Sequence, residues 1–423
     1  MLSSKSKKGS TKHPQGHPVS TSAISHPAVE DISYLTALSS FSSAGTYFAF
    51  LSLAVDKHRL RVYDTFSGQS VAEHIVDSAR VSTLIWGGIT FSEAQTTSSD
   101  MRISKKKKKK QDNLAPEKIV EMNVTEVVVM GLSDGTVLFF SPIHGRILRT
   151  LSHPTSTAEI ISVVVVANRD KISTIWTSSA DGTIRLWNAQ QNVILGSWKN
   201  DDRIPYSAMA VRPMNEEGRV DVLAAHHGIR LLSALLDHTD FQPKRPTQLG
   251  SFTGHASSIR HLQWDASQVP STRFLSLAEA DRFLYIWEVL EGPSTKGRPI
   301  ASIPLDSDAR SFSLSISNHS PEIPERQALL TLSASGKISI YSIPQELPPP
   351  ASTTRTQHNI STLLPRSNLN VSSKTTVSAS KVIDAAFSTE HKDSIRIARI
   401  IGGVRLVFDI VVSDLNLICP LPS

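Results

Sequence analysis

Apolar and polar residues alternate along most of this chain in short segments separated by turn-forming residues. In TIWTSSADGTIRLWN, residues 174–188, two such segments flank an Asp-Gly pair, which is a strong signal for a tight β-hairpin. Similar copies recur and end at Tyr63, Phe140, Trp187, Leu232, Trp287, Tyr341 and Phe408. The pattern therefore predicts a chain built from repeated hairpins.

The interval between the copies identifies the kind of repeat. Most intervals lie near or somewhat above the roughly 40–45 residues of a four-stranded WD-type blade. The sequence therefore predicts an all-β, seven-bladed WD40-type β-propeller over residues 28–412. We expect each turn Asp to bind turn amides or a His from the loop that enters the blade, and each closing aromatic to pack on the neighbouring blade.

Two copies supply candidates for a buried polar network of this kind. The third copy, predicted as the most complete, offers His153, Thr177, Asp181 and Trp187, and the fifth offers His255, Asp281 and Trp287. Buried polar groups in such networks are normally satisfied structural partners. We interpret these residues as structural, and expect no acid, base or metal-ligand role for them.

Composition predicts where the propeller is interrupted. Residues 1–27 are rich in Ser, Lys, His and Pro and favour a disordered basic tail. An unstructured insert is expected at about 92–118, and a Pro/Ser/Thr-rich loop at about 344–380. Residues 413–423 form a short C-terminal end, and we expect strands from the two termini to share one blade and close the ring.

The positive charge is concentrated in two of these segments. The insert carries an unbroken run of lysines: Lys105, Lys106, Lys107, Lys108, Lys109 and Lys110. Together with Lys5, Lys7, Lys8 and Lys12 they make ten lysines against a formal net charge of +6, so the rest of the chain carries −4. We interpret the run as a nuclear-import or RNA-contact segment, with a merely solvated loop as the alternative.

Other classes of protein find little support in the sequence. The longest apolar run, ISVVVVA from Ile161, is far shorter than the about 20 residues of a membrane helix. No nucleophile elbow, Gly-rich phosphate loop or paired Cys ligands occur, so we expect no enzyme activity, no cofactor, no metal and no small-molecule substrate. A propeller enzyme with carboxylates converging in the central channel is the third hypothesis.

Several segments together resemble one family. They are GTYFAFLSLAVDKHRLRVYD, SWKNDDRIPYSAMAV, VLAAHHGIRLLS, GSFTGHASSIRHLQW and TRFLSLAEADRFLYIWEV, with the basic insert after the first copy. In this order they resemble the WD-repeat subunit of the small-subunit processome known as U-three-associated protein five, a member of the UtpA subcomplex. The resemblance covers the chain from about residue 44 to 409. Members of that family carry an α-helical domain after the propeller, and we expect none here.

The resemblance implies a nucleolar scaffold in the nucleus that acts early in 40S ribosome biogenesis. Its partners would be other processome WD-repeat subunits and precursor ribosomal RNA, contacted directly or indirectly and mainly through charge, in support of transcription and processing of that RNA. The alternative is a WD-repeat adaptor in another nuclear complex, such as a chromatin or ubiquitin-ligase complex, because fold does not fix function.

Overall fold

The computed structural model is an all-β ring. It describes residues 38–54, 57–90, 124–166, 173–212, 219–235, 246–265, 271–289, 295–297, 299–305, 309–315, 326–333, 336–344, 361–362, 367–369, 380–389, 394–401 and 405–412. Within these ranges, 29 strands form seven sheets and no residue is helical. The predicted seven-bladed propeller is confirmed. The predicted tail (1–27), basic insert (92–118) and C-terminal end (413–423) lie outside the described residues.

Each of the first three blades is a four-stranded antiparallel meander. The first blade consists of β1 (Ser39–Phe41), β2 (Tyr47–Ala54), β3 (Lys57–Asp64) and β4 (Ser70–Val76). The second consists of β5 (Val81–Thr90), β6 (Val124–Leu132), β7 (Val137–Ser141) and β8 (Arg146–Leu151). The third consists of β9 (Ile160–Val166), β10 (Thr174–Ser179), β11 (Thr183–Asn188) and β12 (Val193–Lys199).

The fourth and fifth blades repeat the meander and each gains a fifth strand. The fourth consists of β13 (Ala208–Arg212), β14 (Arg219–Ala225), β15 (Ile229–Leu235) and β16 (Thr247–Phe252). The fifth contains β17 (Ile259–Trp264), β18 (Arg273–Ala278) and β19 (Phe283–Glu288); after β20 (Thr295–Gly297) it is completed by β21 (Pro299–Pro304). The short strand β20 leaves its own blade and pairs in parallel with β16.

The sixth and seventh blades complete the ring. The sixth contains β22 (Ala309–Leu314), β23 (Arg326–Ser333) and β24 (Ile338–Pro344); after β25 (Ser361–Thr362) it is completed by β26 (Ser367–Leu369). β25 pairs in parallel with β21 of the fifth blade. The seventh blade has three described strands, β27 (Ser380–Phe387), β28 (Ser394–Ile401) and β29 (Arg405–Val412).

The Pro/Ser/Thr-rich stretch at 344–380 differs from the loop predicted there. It supplies β25 and β26, so the sixth blade takes its fourth strand from it. Backbone hydrogen bonds to a neighbouring strand need little apolar side-chain area, so a composition unsuited to burial still forms short edge strands.

The seven predicted copies occupy one equivalent position in the ring. The residues that end them, Tyr63, Phe140, Trp187, Leu232, Trp287, Tyr341 and Phe408, all lie in the third strand of their blades. The hairpin between second and third strands is therefore the unit that the repeat encodes.

The Asp-Gly turn of the third blade shows why this hairpin needs its residue types. Gly182 has a φ of +75°, and a Cβ there would lie 2.8 Å from the backbone carbonyl carbon of Arg203. Asp181 Oδ1 accepts a hydrogen bond from the amide of Thr183 at 3.0 Å. Glycine is required both for the left-handed backbone and for the close approach of the next loop.

The core is divided into seven clusters, one between each pair of adjacent blades. Because the first strands contact one another at six of the seven junctions between blades, they lie nearest the axis of the ring. Every blade thus buries both faces against its neighbours, which explains why the second and third strands of the third blade are buried on both sides.

The first and seventh blades meet directly. Phe48 packs against Phe408 with ring centroids 5.4 Å apart, and the side chain of Thr389 donates to the carbonyl of Ser43 at 2.8 Å. The ring is therefore closed by side-chain packing between the two blades. Sharing of one blade between the termini stays a prediction, because residues 1–37 lie outside the described chain.

Candidate functional site

A continuous hydrogen-bonded chain of four side chains lies in the fifth blade. Trp287 Nε1 donates to Ser276 Oγ at 2.7 Å, Ser276 Oγ lies 2.6 Å from His255 Nε2, and His255 Nδ1 lies 2.6 Å from Asp281 Oδ2. Asp281 also accepts from the amide of Ala256 at 3.2 Å. The chain joins the second and third strands of the blade, the turn between them and the loop that enters the blade.

The proton positions follow from the chemistry of the partners. An ionised Asp281 can only accept, so His255 carries its proton on Nδ1 and accepts from the Ser276 hydroxyl at Nε2. Burial lowers the pKa of His255, against the opposing effect of Asp281, and keeps the imidazole neutral. Burial also raises the pKa of Asp281, but hydrogen bonds from His255, Ser257 and Ala256 outweigh it and leave that pKa below its ordinary value.

Ser276, His255 and Asp281 have the order of a hydrolytic triad, but the arrangement is sealed. Ser276 is fully buried, and its Oγ accepts the indole N–H of Trp287. The side chain of His255 is 1% exposed. A nucleophile must reach a substrate carbonyl, so this geometry supports a structural role for the network.

Ser276 was not among the predicted site residues. It lies eleven residues before Trp287, whereas the equivalent Thr177 lies ten before Trp187. The sequence signal that could have identified it is a hydroxyl side chain on the second strand of the blade. One extra residue in the following turn shifts its spacing from the closing Trp.

The set predicted in the third blade is divided into three parts, which corrects the prediction that this blade is the most complete. Trp187 Nε1 donates to Thr177 Oγ1 at 3.0 Å as expected. Asp181, however, is bound by Arg185, whose Nη2 lies 3.2 Å from Oδ2. His153 Nδ1 instead accepts the amide of Thr155 at 3.1 Å.

The reason for this difference is the residue two positions before the closing Trp. The third blade has Arg185 there, and the fifth has Tyr285. Arg185 is buried and needs a carboxylate partner, so it takes Asp181 away from the imidazole. Burial, together with the charge of Arg185, lowers the pKa of His153, against a smaller opposing effect of Asp181.

Other candidate chemistry can be located only in part. Across the described part of the chain, no three His, Cys, Asp or Glu side chains cluster to hold a metal ion. The run Lys105–Lys110 lies outside the described residues and stays a predicted import or RNA-contact segment. In the same described residues, no helix is long and apolar enough to cross a membrane.

Comparison with known proteins identifies the architecture. No family model matches the chain, and no curated protein matches its sequence. A chain of the solved mitotic checkpoint complex has a TM-score of 0.51 and 14% identity, over 97% of this chain and 100% of that one. It is one of 1191 matching chains, so the likeness shows a widespread propeller fold and no particular partner.

Proposed function

We propose that this chain is a non-catalytic scaffold of the small-subunit processome, with a place like that of the UtpA WD-repeat subunit that it resembles. It would act in the nucleolus, in precursor ribosomal RNA transcription and processing and in 40S ribosome biogenesis. The observation that carries the proposal is the closed seven-bladed ring, whose polar networks are used internally and whose faces remain available to partners.

The segments that carry the resemblance support the proposal through their positions. Two of them, with Trp264 and Trp287, form most of the fifth blade, two lie in or beside the fourth, and one forms β2 and β3. Three blades of one ring therefore carry the resemblance in the family's order. A scaffold binds through rigid, preformed surfaces, and a ring of tightly packed blades supplies them.

The lysine run would add the contact with RNA. Six consecutive ammonium groups bind phosphates without sequence specificity, and their affinity falls steeply with salt. The body of the protein carries the opposite net charge, so this contact is expected to depend on the run and the N-terminal lysines.

A WD-repeat adaptor in another nuclear complex is the second candidate. The solved neighbour is a chain of the mitotic checkpoint complex, which is an example of the same architecture inside a protein assembly. Both candidates predict protein partners, and they differ in which partners are captured and in whether RNA is among them.

The test is affinity purification of the tagged full chain from a eukaryotic cell, with mass spectrometry, imaging and measurement of precursor ribosomal RNA. Nucleolar signal with processome subunits and that RNA in the eluate is the expected result. A variant with residues 105–110 changed to Ser should lose RNA or nuclear localisation while keeping its thermal stability. Recovery of chromatin or ubiquitin-ligase subunits without processome subunits would favour the adaptor.

A further inference from the structure

Three cationic side chains lie near the starts of three consecutive first strands. Arg260 is the second residue of β17, Arg310 of β22 and Lys381 of β27. The N-terminal ends of these first strands lie at the same face of the ring as the turns between second and third strands. We call this face the turn face. Because first strands surround the axis, this cationic triplet lies at the mouth of the central channel.

Local backbone geometry presents two of the three. The pairing register skips Arg260 between Ile259 and His261, and it skips Arg310 between Ala309 and Ser311. Each arginine is therefore the extra residue of a β-bulge, a feature that re-aims a side chain. The bulges of the second and third blades place Ser82 and Ile161 at this position, so the charge is particular to the fifth and sixth blades.

The three cations act on one another. Burial and then the charge of Arg260 lower the pKa of Arg310, and burial and then the charge of Arg310 lower the pKa of Lys381. The carboxylate of Glu279 lies 3.6 Å from Arg260, and both side chains are about half exposed. A bound anion interacts favourably with each of these positive charges.

The rest of the turn face is balanced by comparison. In the first four blades four of its cations pair with carboxylates, as Lys57–Asp77, Arg80–Glu159, Arg185–Asp181 and Arg230–Asp202. The other two described cations there, Lys199 and Arg203, are equalled in number by Asp134 and Asp201. In the last three blades the described part of the face adds Arg282 and Lys337 to the triplet, against Glu279 and Asp281, of which Asp281 is held by His255. The comparison covers described residues only, and Asp306, Asp308 and Lys374 lie outside them.

We propose that the cationic triplet is a docking site for an acidic segment of a partner protein. Guanidinium groups bind carboxylates through paired hydrogen bonds, and such contacts give orientation as well as affinity. The inference rests on the proposed scaffold function, since it names the chemistry of one partner surface.

The extent of the site favours a peptide over nucleic acid. Binding driven by phosphates gains its strength from many contacts along a track, and single strands add stacking on exposed aromatic rings. Three cations around one channel mouth offer only a short site instead. An extended acidic peptide fits it with few residues.

The test measures binding of a fluorescein-labelled oligoglutamate peptide to the purified full chain by anisotropy, in a background with residues 105–110 changed to Ser. The triplet variant combines Arg260→Gln, Arg310→Gln and Lys381→Gln. It should bind the peptide at least about tenfold more weakly, because charge-assisted contacts are lost. The matched control variant combines Lys57→Gln, Arg80→Gln and Arg230→Gln. It should change the affinity for the peptide by less than about twofold. Lys381→Gln alone should weaken binding measurably if the triple variant misfolds.

Thermal unfolding supplies an independent measurement. The peptide should raise the unfolding temperature of the background protein, and it should leave that of the triplet variant unchanged, because a ligand stabilises only the protein that binds it. Equal loss of binding in the triplet and control variants would overturn the proposal. An oligouridine that binds more tightly than the peptide, and depends on the triplet, would assign the site to nucleic acid instead. Peptide binding without capture of processome subunits would leave this site intact and overturn only the proposed complex.

Discussion

Trp287 donates its indole N–H to Ser276 Oγ across 2.7 Å, and this one hydroxyl joins the closing aromatic of the fifth blade to its His–Asp pair. Ser276→Ala should therefore leave two buried polar groups without partners and lower the free energy of unfolding by about 2–4 kcal/mol. Urea denaturation of the variant and the wild type measures this change in the free energy of unfolding. Thr177→Val is the matched control, because it removes only the partner of Trp187, and it should lower stability by about 1–2 kcal/mol. An equal loss in both variants would contradict the four-membered network.

The two histidines of the predicted networks should respond very differently to removal. His255→Ala opens the buried chain and exposes Asp281 to an unfilled space, with an expected loss of about 2–4 kcal/mol. His153 contacts the Thr155 amide near the surface, so His153→Ala should change stability by about 0.5 kcal/mol or less. The melting temperatures of both variants, compared with that of the wild type, show whether the two losses of stability differ in this way. A large loss for His153→Ala would restore the predicted third-blade network.

Gly182→Ala should lower the free energy of unfolding by about 2–3 kcal/mol, because it combines a left-handed backbone with a clash against the backbone of Arg203. Gly68→Ala separates the two causes. Gly68 has a similar φ of +69° but no atom within 4 Å of an added Cβ, so its loss should stay near about 1 kcal/mol. Similar losses at both positions would show that the close approach contributes nothing.

Acid should destabilise the ring partly through His261. Burial lowers the pKa of His261 to about 4, and its ring stacks on Phe312 with centroids 4.3 Å apart. The folded pKa lies below the unfolded value, so the unfolded chain binds more protons between the two. Stability present above about pH 6.5 is therefore lost as the pH falls towards 4, by at most about 3 kcal/mol. His261→Phe keeps the stacking and should flatten this limb of a stability–pH curve; an unchanged slope would contradict the prediction.

The fold could be predicted because its signal is local. An Asp-Gly hairpin closed by an aromatic needs only about fifteen residues of sequence, and Trp187 and Trp287 appear at the expected strand in the structure. The polar networks were harder, since they depend on competition. Whether Asp181 binds His153 or Arg185 depends on how deeply Arg185 is buried, and the repeat pattern alone does not give that burial.

The cationic triplet illustrates a further limit. Arg260, Arg310 and Lys381 are dozens of residues apart and share no motif, and only the order of the blades around the axis brings them together. The short strands β20 and β25 were missed for a related reason. Their pairing depends on backbone groups and on the route of a connecting segment, neither of which leaves a pattern of side chains.

Because of these two short strands, we expect backbone amide hydrogens to exchange with solvent at different rates in different parts of the ring. β20 leads from the fifth blade back to β16, and β25 leads from the sixth blade back to β21. Only glycine fits at position 297 of β20, because a Cβ there would lie 2.1 Å from the ring of Phe252. The outward amides of β16 and β21 are thus shielded, whereas in the described residues β4, β8 and β12 are the outermost strands of their sheets. Fluctuations that fray one blade of the fourth-to-sixth sector must also detach its neighbour. Deuterium uptake should accordingly be slow and concerted in that sector, and faster and independent along the outer edges of the first three blades.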